Sequence, residues 1–131
     1  MYEKIFKKLN EKAKINGDIP VSCIITKNGK IISQSYNQKY SKNNPLGHAE
    51  ILAILSASKK LKTSNLIECT MYVTLKPCKM CQEIIKESRI KNVYYIIDNK
   101  KYNRSKINFN KIECDENYFK NELKNFFKEK R

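Results

Sequence analysis

The sequence contains no run approaching the roughly 20 apolar residues that a membrane-spanning helix needs. Its opening stretch, Met1-Tyr2-Glu3-Lys4-Ile5-Phe6-Lys7, is amphipathic and charged. It has neither an apolar segment nor a small-residue cleavage site, so a secretory leader is not expected. These absences predict a soluble, cytoplasmic chain. No linker, internal repeat or low-complexity block interrupts the 131 residues, which predicts one domain over residues 1–131. That length can bury a core without covalent staples. The five cysteines, Cys23, Cys69, Cys78, Cys81 and Cys114, are odd in number, which argues against a disulfide framework. Histidine is almost absent, with His48 the only one.

Acidic residues are scarce beside basic ones, and the formal net charge is +14. A basic surface attracts phosphate backbones and so favours a nucleic-acid partner. Arginine, however, occurs only at positions 89, 104 and 131, and the other 24 basic residues are lysine. With its many Asn and Ile, the chain has the usage expected from an AT-rich genome. Charge therefore supports RNA binding only modestly.

Hydrophobic spacing gives a coarse organisation. Ile5, Leu9 and Ala13 recur every four residues and predict a helix ending near Gly17. Pro20 leads into a strand from Val21 to Thr26. Asn28-Gly29, between apolar runs, predicts a tight hairpin into a second strand, Ile31 to Tyr36. A polar loop then leads to His48, and Ile51, Leu52, Leu55 and Leu61 mark a helix from Ala49 to Leu61. Met71 to Leu75 reads as a third strand. Pro77 opens a helix running to about Ser88, with Ile84 and Ile85 facing inward. Val93 to Ile97 reads as a fourth strand, parallel to the third. The segment 98–112 is polar, with a short strand expected near Ile107 to Phe109. Phe119, Leu123, Phe126 and Phe127 mark a closing helix, whose two adjacent phenylalanines are expected to pack in the core. Cys23 and Cys69 lie in strand-like runs and are expected to be buried, as is Cys114. The order implies an α/β fold, a mixed sheet covered by helices.

Two clusters carry chemistry: His48-Ala49-Glu50 and Pro77-Cys78-Lys79-Met80-Cys81, with 26 residues between Glu50 and Pro77. Zinc takes imidazole and thiolate ligands tetrahedrally. His48, Cys78 and Cys81 would leave the fourth position open, as a catalytic zinc requires. Cys78 and Cys81 are three apart and face one side of a helical turn. The positive end of that helix favours thiolates. His48 and Glu50 would point roughly 200° apart in mid-helix. Both reach one metal only at a helix start, which the loop ending at Gly47 predicts. Zinc lowers the pKa of bound water from about 15.7 to roughly 7, so a water or hydroxide in the open position can attack an electron-poor ring carbon. Glu50 beside the metal can shuttle protons to a ring nitrogen and to departing ammonia. Cys23, Cys69 or Cys114 could in principle supply a fourth protein ligand and make the zinc structural, but none lies in a motif.

The pattern H-x-E…P-C-x-x-C is the signature of zinc deaminases acting on nucleobases, in which the glutamate is not a ligand. Gly17-Asp18-Ile19-Pro20-Val21, His48-Ala49-Glu50-Ile51-Leu52-Ala53-Ile54 and Tyr72-Val73-Thr74-Leu75-Lys76-Pro77-Cys78-Lys79-Met80-Cys81 with Ser88-Arg89-Ile90 resemble the bacterial tRNA-specific adenosine deaminases. The likeness runs from Gly17 to Ile97 and returns in the closing helix, where Phe126-Phe127 with Lys128, Lys130 and Arg131 is similar to a basic terminal helix that contacts RNA. The resemblance implies a three-layer α/β/α cytidine-deaminase-like fold and one zinc ion per chain. It also implies conversion of the wobble adenosine of an arginine tRNA to inosine by a homodimer. By the match, Asn37 would bind the target base and Ile19 would line its pocket. The chain departs from the family at Lys76, where glutamate is usual, at Gly47, usually alanine, and at Asn44, usually aspartate. It departs again at Asn99-Lys100-Lys101-Tyr102-Asn103, and in a shorter connection to the last helix. Two alternatives stay open: a deaminase of free cytidine, deoxycytidylate or guanine, and a zinc-stabilised RNA-binding protein without turnover.

Overall fold

The structure, a computed structural model, describes residues 2–99 and 106–129. The chain runs α1 (Glu3–Ile15), β1 (Ser22–Lys27), β2 (Lys30–Tyr36), α2 (Ala49–Leu61), β3 (Cys69–Leu75), α3 (Lys79–Glu87), β4 (Asn92–Ile97), β5 (Asn108–Lys111) and α4 (Glu116–Glu129). The five strands form one mixed sheet in the order β2-β1-β3-β4-β5. Strand β1 pairs antiparallel with β2 and β3, while β3–β4 and β4–β5 are parallel.

The hairpin turn obeys its sequence. Asn28 and Gly29 both have positive φ, 53° and 75°, the backbone a tight two-residue connection needs. Strand β1 is buried along nearly its whole length because both its faces are covered. Alternation then sorts its side chains between two cores. Cys23 and Ile25 join Met71, Val73 and Val93 under Ala49, Ala53, Ile54 and Ala57 of α2 and Ile85 of α3. Ile24 joins Ile96 on the other face, under Phe6 and Leu9 of α1 and Phe119 of α4. The result is the expected mixed sheet between two helical layers.

A polar clasp adds to this packing. The buried Asn10 of α1 donates from Nδ2 to Glu122 Oε1 of α4 at 2.9 Å, and Lys14 Nζ lies 2.8 Å from Glu122 Oε2. Phe6, fully buried at the centre of the α1–α4 core, makes a direct test of that layer. Phe6→Ala is expected to cost about 3–5 kcal/mol through lost contact and a residual cavity, read as a lower urea midpoint at unchanged slope.

Some details differ from the sequence reading. Phe126 is buried as expected, but Phe127 is 51% exposed. Neighbours on a helix point about 100° apart, so only one of the pair can face the sheet. Leu55 is likewise exposed on the outer side of α2. Ile85 is fully buried, whereas Ile84 packs only partly against the same core. Cys23 and Cys69 are buried, and Cys114 is half-buried against the α1–α4 side. Strand β5 begins one residue later than expected. Residues 100–105, Lys130 and Arg131 lie outside the described residues, so the 99–103 departure and part of the basic terminus carry no structural account. Among the described residues no helix is long and apolar enough to cross a membrane.

Candidate metal centre

Two helix starts meet at the end of the sheet. His48 is the N-cap of α2, in extended backbone (φ −75°, ψ 141°), and its side chain makes no capping hydrogen bond. The ring is therefore outside the helix, which lets it share one site with Glu50 in the first turn. Cys78 holds the same position on α3 (φ −70°, ψ 171°), again without a capping bond. Pro77 ends the β3 run and has no N–H to leave unpaired. The first turn of α3 is closed by Gln82, whose N–H donates to Cys78 O and whose Nε2 donates to Pro77 O, each at 2.9 Å. That turn carries Cys81 inward, fully buried.

The donor atoms of His48, Cys78 and Cys81 all lie within 4.8 Å of one another. Tetrahedral zinc with ligands at about 2.0–2.3 Å sets its donors roughly 3.5–3.8 Å apart, so small side-chain adjustments suffice. One imidazole and two sulfurs are also the donor chemistry zinc prefers. These residues form a candidate zinc site with one coordination position not supplied by this trio. Glu50 is not one of the clustered donors, in keeping with a role beside the metal.

The charges are tightly coupled. The Cys81 thiol and then the His48 ring hydrogen-bond to Cys78 and hold its thiol down at about 4. Cys81 is pushed far up, first by sharing its proton with Cys78 and then by burial. His48 is raised, because its ring donates to Cys78 more effectively than burial opposes it; the nearby Lys39 charge acts against the rise. Burial raises Glu50 to about 7, partly offset by its own backbone N–H and by His48. Behind Glu50 lies Cys23, whose thiol is raised well above the ordinary value by burial and then by the Glu50 charge.

Cys78 should therefore be a thiolate at neutral pH in metal-free protein, while the half-buried Cys114 stays protonated, its thiol raised by burial. At pH 6, iodoacetamide is expected to label Cys78 about tenfold faster than Cys114, with zinc blocking the reaction. Peptide mass mapping reads the result. Zinc uptake must also expel the proton held by Cys81, so zinc affinity is expected to fall as pH falls.

Asn37 lies just past β2. Its N–H donates to Val21 O at 3.0 Å, and its Oδ1 accepts the N–H of Ala49 at 2.8 Å, between His48 and Glu50. The side chain thus ties the end of β2 to the start of α2. Ile19 is half-buried against the core under α2 and α3. Lys76 is buried and occupied: its Nζ lies 3.6 Å from Asp98 Oδ1 and 4.7 Å from the Phe109 ring centroid. Sequence reasoning gave no role to Asp18 or Lys39. Asp18 is a fully buried carboxylate in the α1–β1 connection, a state that only tertiary structure reveals.

Residues 2–97 match the family described as the cytidine and deoxycytidylate deaminase zinc-binding region. The tRNA-specific adenosine deaminase of Rickettsia bellii (strain RML369-C) is 38% identical over 126 residues, covering 85% of this chain and 87% of that protein. The tRNA-specific adenosine deaminase of Buchnera aphidicola subsp. Schizaphis graminum (strain Sg) is 34% identical over 140 residues, covering 98% of this chain and 93% of that one. A solved structure from work on A-to-I editing by tRNA:A34 deaminases superposes with a TM-score of 0.74 at 24% identity, covering 86% of this chain and 100% of its own. Guanine deaminase from Bacillus subtilis superposes with a TM-score of 0.67 at 33% identity, covering 76% of this chain and 67% of its own.

Proposed function

The chain belongs to the tRNA-specific adenosine deaminases, zinc-dependent enzymes of the cytidine and deoxycytidylate deaminase family, and from that membership we propose that it converts the wobble adenosine in the anticodon loop of an arginine tRNA to inosine. The observation that carries the reaction class is the cluster of His48, Cys78 and Cys81 beside a buried Glu50. The substrate class rests on the relatives. The proposed assembly is a cytoplasmic homodimer of single deaminase domains spanning residues 1–131.

Zinc held by His48, Cys78 and Cys81 would supply Lewis acidity, bringing the pKa of a water in its open position to roughly 7. The net reaction exchanges the exocyclic amine of adenine for oxygen: water enters, ammonia leaves. Glu50 takes a proton from the attacking water, delivers it to the ring nitrogen and assists the departure of ammonia. In metal-free protein burial raises its carboxyl to about 7, so the pocket itself favours the protonated form that returns a proton. The oxygen of Asn37 is already engaged by Ala49, so its Nδ2 is the end that would donate to an acceptor on the base. Ile19 would give the pocket an apolar wall. The base must leave its stack to enter, as enzymes acting on nucleobases require.

The test is inosine formation in an arginine tRNA anticodon stem-loop with zinc-loaded protein. Inosine at the wobble position supports the reading. The guanine deaminase likeness favours one alternative, a free nucleobase substrate. Release of ammonia from guanine or cytidine without inosine in RNA would replace the substrate and keep the chemistry. Zinc-bound, folded protein inactive on all of these would support a non-catalytic RNA binder.

A further inference from the structure

The segment between Asn37 and His48 is joined at both ends to the proposed chemistry, and its conformation is fixed from outside. Asp18 is fully buried, and its two oxygens accept backbone N–H groups of that loop: Tyr40 at 2.7 Å on Oδ1 and Ser41 at 3.1 Å on Oδ2. Among the described residues no lysine or arginine forms an ion pair with it. A desolvated carboxylate on two amides is a strong, directional anchor. The loop also closes on itself. Gln38 N–H donates to Gly47 O at 2.8 Å, and Asn44 N–H to Lys39 O at 2.9 Å.

Gly47 is what permits that closure. A Cβ there would stand 2.7 Å from Lys39 N and 2.8 Å from both Gln38 C and Lys39 Cα. These are backbone atoms that cannot swing aside. Lys39 is thereby seated against the residue preceding the metal-binding His48. Tyr40 stays 55% exposed, with the Lys39 ammonium 5.6 Å from its ring centroid. The loop thus offers a cation and an aromatic face beside the site, the two features single-stranded nucleic acid uses.

We propose that Asp18 is a positioning residue for substrate: it holds residues 38–47 closed so that Lys39 and Tyr40 form a fixed wall for the RNA strand flanking the target base. This rests on the reading of the site as an RNA deaminase. The metal donors do not depend on it, because His48 is set by α2 and by the Asn37–Ala49 bond. Opening the loop should therefore weaken substrate capture while leaving zinc and chemistry in place.

The test uses zinc-loaded protein as wild type, Asp18→Asn, Asp18→Ala and Tyr40→Ala. Losing two charge-assisted hydrogen bonds should raise KM for the anticodon stem-loop about tenfold in Asp18→Ala, with kcat within about threefold and zinc content unchanged. Asp18→Asn keeps an acceptor and should fall between. Tyr40→Ala removes the aromatic side of the wall without touching the anchor and should repeat the KM effect even if Asp18→Ala folds poorly. Amide exchange at Tyr40 and Ser41 should be slow in wild type and fast in Asp18→Ala. Unchanged KM in both Asp18→Ala and Tyr40→Ala, or zinc content and kcat falling as KM rises, would overturn the proposal. A wild type that makes no inosine refutes the functional reading instead. Exchange at Tyr40 and Ser41 then decides the anchor: acceleration in Asp18→Ala supports it, and equal rates overturn it.

Discussion

Glu50→Gln is expected to lower deamination by a factor of about 10²–10⁴, the contribution of a positioned proton shuttle, while zinc stays bound. Glutamine keeps the size and polarity of the side chain but can neither take nor give the proton. Glu50 is 5% exposed and not one of the three clustered donors, so the substitution leaves the metal site's own residues intact. Wild-type activity should fall as the medium is acidified through the range where the carboxyl becomes protonated. The same change has an effect on stability of opposite sign. In metal-free protein burial raises Glu50 from 4.5 to about 7, so the fold favours its protonated form. A carboxyl raised on folding contributes full stability below its unfolded pKa. That contribution is lost as pH rises towards the folded value. A shift of this size corresponds to about 3 kcal/mol at pH 8. Metal-free Glu50→Gln should therefore unfold at higher urea than metal-free wild type at pH 8, with the gap closing by about pH 4. A variant that binds zinc without turnover, and that is stabilised when metal-free, is the expected combination. Retained turnover would remove Glu50 from the chemistry.

Much of this architecture was legible because local rules agreed with the tertiary outcome. Asn28-Gly29 needed positive φ twice and took it. Ala49–Leu61 was bounded as expected, since a loop ends at Gly47 and the apolar stripe ends at Leu61. The metal trio was legible for a stricter reason. A helix start is the only place where positions 48 and 50 share a target, and Cys78 to Cys81 is one helical turn. Legibility failed where a residue's fate is decided by a distant neighbour. Phe126 and Phe127 are indistinguishable in sequence, and the angle of α4 on the sheet buries one and exposes the other. Lys76 read as a charge beside the metal motif, yet Asp98 at the end of β4 and the Phe109 ring of β5 occupy it. Asp18 read as part of a strand entry. Its partners lie in a loop beyond the hairpin, at Tyr40 and Ser41, and no periodicity encodes that approach.

Removing a metal ligand should act more broadly than removing the shuttle, and the two cysteines should differ in how. Replacing hydrogen-bonded partners of a metal's ligands typically costs 10–100-fold in affinity, so loss of a ligand should cost more than about 100-fold. Cys78→Ala and Cys81→Ala are therefore both expected to abolish detectable turnover and to purify without stoichiometric zinc. Their effects on the fold diverge because their surroundings do. Cys81 is fully buried in the first turn of α3, so its deletion leaves a small void in a packed region. It also withdraws the proton that stabilises the Cys78 thiolate, leaving a partly desolvated anion with only His48 as a strong partner. Cys78 is half-buried at the N-cap and makes no capping bond, so its truncation removes little from the helix itself. In metal-free protein Cys81→Ala should cost about 1–2 kcal/mol and Cys78→Ala less than about 0.5 kcal/mol. Adding zinc should stabilise wild type and Glu50→Gln, whose three donors are intact, and neither cysteine variant. Thermal melts with and without zinc on these four proteins separate ligands from neighbours. Zinc-dependent stabilisation of Cys81→Ala equal to wild type would show that another donor completes the site, with half-buried Cys114 and buried Cys23 and Cys69 the sulfurs to examine.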